Sequence, residues 1–275
     1  MGATLAIVNL ADSATLSTTS GTMLRGLTEL QIPWARGLAR GPINYSFGQT
    51  TLLIRADLGT SLGFSCIGLV GLNDVVCNFS AKFSDTAFDS TDKGTGSAVN
   101  DGLSGDTHGN ALWYIGDHRA RYIQLQVTAI GLADGFRHVD ARRLLIMQNE
   151  TLATDTVAFS DGVDFDWSLT HVDLSSAEET QRGGVFTSPQ GTYRRLVFGI
   201  TGMTSTEAES LRGWLAAARR KSECVVSIRD EGAVALQSNR TIYGRLVDWS
   251  PIEHTGGDTY ACDSIVVHET PYPAL

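Results

Sequence analysis

The chain has 275 residues, of which 42% are hydrophobic and 19% charged, with a formal net charge of −9. That length suits one large or two ordinary domains and can bury a core without disulfide staples. An acidic balance with few Lys (Lys82, Lys93 and Lys221) excludes a binder that works by neutralising phosphates, and no apolar run is long enough to span a bilayer.

The opening, MGATLAIVNLADS, has no basic stretch and does not read as a signal peptide. Gly2 follows Met1, but Ala6 stands where a myristoylation signal carries Ser or Thr. Within residues 1–50, LAIVNL and LTELQI read as strands and GLARGPINYSFG as loop. From Gln49 the β signal strengthens: TTLLIRADLG, FSCIGLVGLN and VVCNFSAKFS are strand-like runs parted by Gly- or Asn-bearing turns. FSCIGLVGL is continuously apolar, the pattern of a strand buried on both faces. Ser84 to Asn110 is dense in Asp, Ser, Thr and Gly and is predicted to be mostly loop. ALWYIGD, ARYIQLQVTAIG and RHVDARRLLIMQ follow as strands.

A change of composition around Asn149 to Ala158 marks a boundary, giving modules 1–148 and 149–275. Charge divides there too, at −1 for the first module and −8 for the second. Leu144 to Gln181 holds no Lys or Arg but carries Glu150, Asp155, Asp161, Asp164, Asp166, Asp173, Glu178 and Glu179. Such a run is ordinarily a solvated face, or else an acidic wall along which a polyanion slides without sticking.

In the second module, VAFSDGVDFDWSLTHVDLS and YRRLVFGITGM read as strands. A helix is predicted over 206–221: Thr204 and Glu207 have capping-box spacing, and Ala208, Leu211, Trp214 or Leu215, and Ala218 share a face. ECVVSIRD, RTIYGRLVDWSPIEH and TYACDSIVVHE complete the strands. The fold class is therefore mainly β, with a β-sandwich first and a β domain with one flanking helix second.

Residues that could carry chemistry are scattered. Gly59-Thr60-Ser61-Leu62-Gly63 matches G-x-S-x-G, but a strand follows it instead of a helix, so a hairpin turn is the better reading. The six His form no HxH or HxxxH pair. Asp161, Asp164 and Asp166 miss the register of a calcium loop, while Asn100, Asp101, Asp106 and Asn110 fit a cation or plain turn chemistry. Cys66, Cys77, Cys224 and Cys262 lack CxxC spacing and read as small buried hydrophobes in a reducing compartment. No catalytic site, cofactor or metal is expected. Trp34, Trp113 and Tyr114 lie near loops and could stack on a sugar, or serve as core or interface.

Two stretches resemble known families. In DLGTSLGFSCIGLVGLNDVVCNFSAKFSD and the later ALWYIGDHRARYIQLQV, the elements Asp57-Leu58-Gly59, Ile67 to Asn73, Ser84-Asp85 and Ala120-Arg121-Tyr122 occur in order. They resemble the phage-borne galactose-binding-like (discoidin-type) jelly roll, as does the upstream LTELQIPWARG. Leu72 and Ala35-Arg36 depart from that pattern. In residues 164–230 and just beyond, Arg182-Gly183-Gly184, Tyr193-Arg194-Arg195 and Gly244-Arg245-Leu246 sit where the tail-hub module of siphophage and gene-transfer-agent tails has similar groups.

The resemblance implies a structural virion protein, a minor or distal tail protein joining tail tube to hub or fibres at the tail tip. It would be assembled in the bacterial cytoplasm without membrane insertion. Its partners would be a homo-oligomeric ring, the tube, hub and tape-measure proteins, and a host surface glycan. DNA would only pass through a lumen lined by Asp161, Asp164, Asp166, Glu178 and Glu179. The rival reading is a carbohydrate-binding module for attachment to a host surface, using Trp34, Trp113 and Tyr114.

Overall fold

The computed structural model describes residues 2–19, 25–32, 39–40, 49–71, 77–100, 111–130, 140–148, 156–159, 167–174, 176–179, 185–188, 192–221, 223–229 and 241–269. It is mainly β, with antiparallel sheets and a single α-helix among the described residues. The strands are β1 (Gly2–Ala6), β2 (Thr15–Ser17), β3 (Ala39–Arg40), β4 (Gln49–Val70), β5 (Cys77–Ser84), β6 (Gly94–Asn100), β7 (Ala111–Ile130), β8 (Asp140–Ala141) and β9 (Arg143–Gln148). They continue as β10 (Thr156–Phe159), β11 (Ser168–Asp173), β12 (Ser176–Glu179), β13 (Val185–Ser188) and β14 (Thr192–Met203). After α1 (Ser205–Lys221) come β15 (Cys224–Arg229), β16 (Thr241–Trp249), β17 (Glu253–Gly256) and β18 (Thr259–Glu269).

One sheet runs β2-β4-β7-β5-β6, with β9 also paired to β4. A second runs β10-β1-β15-β16-β18-β14-β11, with β17 on β18, and β12-β13 and β3-β8 form two-stranded ribbons. Two long strands shape the first sheet. The N-terminal part of β4 pairs with Tyr122–Ile130 of β7, and its C-terminal part pairs with both Ala111–Ala120 and β9. Between them the register shifts from Asp57 to Leu62, where Gly59 has φ 78°. The G-x-S-x-G segment is thus a bulge inside one continuous strand and not the hairpin turn predicted from sequence. A glycine at positive φ lets the strand kink without leaving its partner.

The apolar run of β4 is buried on both faces, as its pattern predicted. Phe64, Ile67 and Leu69 join Leu52, Ile54, Ile123, Leu125, Val127, Leu144 and Ile146 in the first core. Cys66 and Val70, with Leu145 and Met147, turn the other way onto Ala6, Val225 and Tyr243 of the second sheet. The β4/β9 layer therefore lies between two bodies, and only strands apolar on both faces can do so.

Three further expectations are corrected. LTELQI is a 3-10 helix over Leu27–Gln31, because Leu27 and Leu30, three apart, both reach the first core. Gly94–Asn100, expected as loop, is edge strand β6, drawn into the sheet by its ladder with β5. The division at residue 148 is crossed at the very start: β1 pairs with β15 and β10, so the N-terminal strand belongs to the second sheet. The helix forms as predicted. It lays Leu211, Trp214, Leu215 and Ala218 on a core shared with Leu196, Phe198, Ile228, Ile242, Ile265 and Val267.

Arg143 fastens the two sheets. Its guanidinium, wholly buried, donates to Asp12 at 2.9 Å and to Glu223 at 2.8 Å, and reaches the carbonyl of Leu30 at 3.4 Å. The Tyr243 hydroxyl donates to the same Glu223 carboxylate at 2.5 Å. Asn9 completes the seam, donating to the Leu144 carbonyl at 2.9 Å and accepting from the Ile146 amide at 2.9 Å.

Candidate binding face

Alternation along the first sheet puts Leu52, Ile54, Ala56, Ile123, Leu125 and Val127 in the core and turns the residues between them outward. Register then sets side chains beside one another. Arg55 lies opposite Gln124, which lies opposite Lys82, and Asp57 lies opposite Tyr122, which lies opposite Ser84.

The loop between β5 and β6 supplies an aromatic ring to this face. Phe88 packs edge-on against Tyr122, with ring centroids 4.9 Å apart, and the Arg55 guanidinium sits 5.3 Å from the Phe88 centroid. Arg55 donates to Gln124 at 2.8 Å and to Asp89 at 2.8 Å. Beside it, Arg121 stands 4.7 Å from the Tyr122 ring and donates twice to Asp57, at 2.8 and 3.0 Å. The result is two guanidinium planes and two aromatic rings, locked by carboxylates and half open to solvent.

The carboxylates here are fixed anions. The paired Arg121 guanidinium holds the Asp57 carboxyl below the usual range against some opposing burial, helped by the Gly59 amide at 2.8 Å. Hydroxyls of Ser84 and Ser90 bring Asp92 down to about 2, and Ser90 donates to it at 2.8 Å. Asp85 accepts from Lys93 at 3.0 Å and from the Arg121 amide at 2.9 Å. A general acid needs a raised carboxyl pKa, and Asp57 and Asp92 are shifted the other way.

A second concavity of about 430 Å³ lies between α1 and the β16–β17 connection, lined by Arg212, Leu215, Ala216, Arg219, Trp249 and Ile252. It belongs to the second core's rim, where Arg219 stands 5.8 Å from the Trp249 ring.

None of the candidate site residues singled out from sequence is among the side chains described on this face. Trp34, Asp161, Asp164 and Asp166 lie outside the described residues, as do Asp101, Asp106 and Asn110. Trp113 and Tyr114 are placed by backbone alone, opposite Ile67 and Cys66 in the β4–β7 ladder. Glu178 and Glu179 pair by backbone with Phe186 and Val185 in the β12–β13 ribbon. Sequence reasoning missed Arg55, Phe88 and Gln124. The available signal was the alternation of polar with apolar residues in LLIRAD and YIQLQV, which assigns Arg55 and Gln124 to the outward face.

No family model and no curated protein matches the chain. Among solved structures it is similar to CpGH89CBM32-6 produced by Clostridium perfringens, with 13% identity and a TM-score of 0.37 over 51% of this chain and 99% of that one. It is similar to the lectin domain of Lectinolysin complexed with Lewis B antigen, with 12% identity and a TM-score of 0.39 over 53% and 99%. A fucolectin from striped bass (Morone saxatilis) serum covers 97% of this chain and 98% of its own, at 9% identity and a TM-score of 0.34. These neighbours are carbohydrate-binding or lectin domains, and likenesses this distant decide neither fold nor function.

Proposed function

We propose that the chain is a non-enzymatic glycan-binding protein, and that its contact surface is the outward face of β4 and β7 with Phe88. The observation that carries this reading is the preorganised array of Arg55, Arg121, Asp57, Phe88 and Tyr122. Sugars present hydroxyls that need fixed donors and acceptors, and C–H faces that pack on aromatic rings. Arg–Asp pairs already held in geometry supply the first at little entropic cost, and Phe88 with Tyr122 supplies the second.

The test is a glycan array followed by titration of any hit. Arg121→Ala and Phe88→Ala are expected to weaken binding about tenfold each, the loss of roughly 1.4 kcal/mol. Binding left intact by both substitutions would show that the face is not the contact surface. Because Asp57 and Asp92 are held ionised, binding is expected to stay flat from pH 8 to about pH 4 and to fall only below that.

A second reading, a structural protein of a phage tail tip, is supported by the sequence resemblance and by the −8 carried by residues 149–275. In it the glycan-binding face would look outward and the acidic module would face a channel. Immunogold labelling of virions from the source phage would place the chain at the tail tip or show it to be absent.

A further inference from the structure

On one face of the second sheet, Leu196, Leu246 and Val267 belong to the core under α1. Alternation turns the residues beside them, Arg195, Arg245 and His268, to the opposite face. Register sets these three in a row, with Arg195 opposite His268 and His268 opposite Arg245. Neighbouring strands are about 4.8 Å apart, so the three basic groups span about 10 Å. Arg195 and Arg245 are exposed and His268 is half-buried. Tyr193 borders the row, its ring centroid 5.0 Å from that of His268.

The row has no counter-charge of its own. Elsewhere Arg40, Arg55, Arg121, Arg143, Arg194 and Arg212 each pair with a carboxylate. Among the described residues no ion pair reaches Arg195 or Arg245. Glu269, next to His268, is buried on Arg194 at 2.6 Å. The groups facing His268 are Arg195 and Tyr193 from β14 and Arg245 from β16. Burial first, and then the charges of Arg195 and Arg245, disfavour protonation of His268. Two fixed positive charges thus flank an imidazole that they help to keep neutral. An anion between them would offset their repulsion and favour the imidazolium.

Charge and size narrow the class of that anion. The chain carries −9 overall and repels an extended polyanion, whereas a row of about 10 Å holds one compact group. Guanidinium forks match the paired oxygens of phosphate-like groups. We infer that Arg195, His268 and Arg245 form a binding site for a doubly charged tetrahedral oxyanion, a sulfate or a phosphate ester, with the guanidiniums as its charge partners and protonated His268 as a further donor. The site lies on a different sheet from the Arg55–Phe88 face and does not rest on the glycan reading.

Titration of the full chain with sodium sulfate tests this, followed by the amide NMR shifts of β14, β16 and β18. Ionic strength is held constant with NaCl, so general screening does not change. Sulfate keeps its charge between pH 8 and pH 5.5, so any pH dependence belongs to the protein. Saturable shifts at millimolar sulfate are expected, with affinity rising about tenfold from pH 8 to pH 5.5 as His268 takes up a proton. Arg195→Gln/Arg245→Gln is expected to lose at least about tenfold in affinity. His268→Gln is expected to bind as the wild type does at pH 8 and to lose the rise at pH 5.5. Circular dichroism checks that each variant is folded. Glucose 6-sulfate, run against inorganic sulfate and glucose, distinguishes the sources. Tighter binding of the ester that is lost in Tyr193→Ala assigns a sugar-borne group, and equal affinity assigns the free ion. Wild-type shifts that do not saturate would overturn the inference. So would binding that survives the double arginine replacement in a folded protein, or a pH dependence that persists in His268→Gln.

Discussion

Gly244 shows how tightly single positions are constrained. An added Cβ would stand 2.0 Å from the His268 carbonyl oxygen, and backbone cannot move aside as a side chain can. Gly244→Ala is expected to destabilise the protein by at least about 1–3 kcal/mol in urea unfolding. Cys66 and Cys224, both buried, have their thiols pushed up to about 12 by desolvation. They are expected not to react with a thiol reagent at pH 8 in the native protein, and to react once it unfolds. His268 gives a pH dependence whose sign is fixed by the lowered folded-state pKa. The unfolded chain takes up the proton first as pH falls, so stability is lost below about pH 6.5 and is complete above it. Comparison of urea midpoints at pH 8 and pH 5.5 should show a smaller drop for His268→Gln than for the wild type.

At the level of elements, α1 was legible because each of its signals is local. Thr204 and Glu207 form the reciprocal cap, with the Thr204 amide donating to Glu207 at 2.8 Å and the Glu207 amide donating back at 3.3 Å. Thr204→Ala is expected to cost about 1 kcal/mol, measured by thermal unfolding. The strands were less legible where their partners are distant. β6 has a Gly- and Ser-rich sequence with little β propensity of its own, and its place comes from the β5 ladder. The bulge in β4 looked like a turn because the same glycine serves both, and only the length of β7 opposite it decides between them. Arg143 could not be read from RLLIMQ at all. Its partners Asp12 and Glu223 lie 131 and 80 residues away. Truncation to Arg143→Ala strands two carboxylates at the seam, and a loss of about 3–5 kcal/mol is expected.

Across the whole molecule, the first strand ties the two halves together. β1 is hydrogen-bonded within the second sheet, and the chain then crosses to β2 in the first. With the Arg143 seam and the apolar contact of Cys66, Val70 and Met147 on Val225 and Tyr243, the two sheets are expected to unfold in one calorimetric transition. Removal of residues 1–7 should destabilise the second sheet and split or broaden that transition.

The sequence by itself determined what depends on local pattern and composition: a mainly β chain, one capped helix, a doubly buried strand in FSCIGLVGL, and acid gathered in the second half. Periodicity and capping act over a few residues, so a one-dimensional reading suffices. The tertiary structure alone decided which strands pair, that β1 belongs to the far sheet, and that Arg55, Phe88, Tyr122 and Arg121 meet on one face while Arg195, His268 and Arg245 align on another. Those groupings are set by ladder register between strands as far apart in sequence as Gly2 and Arg229, and a shift of one residue would turn every side chain to the opposite face.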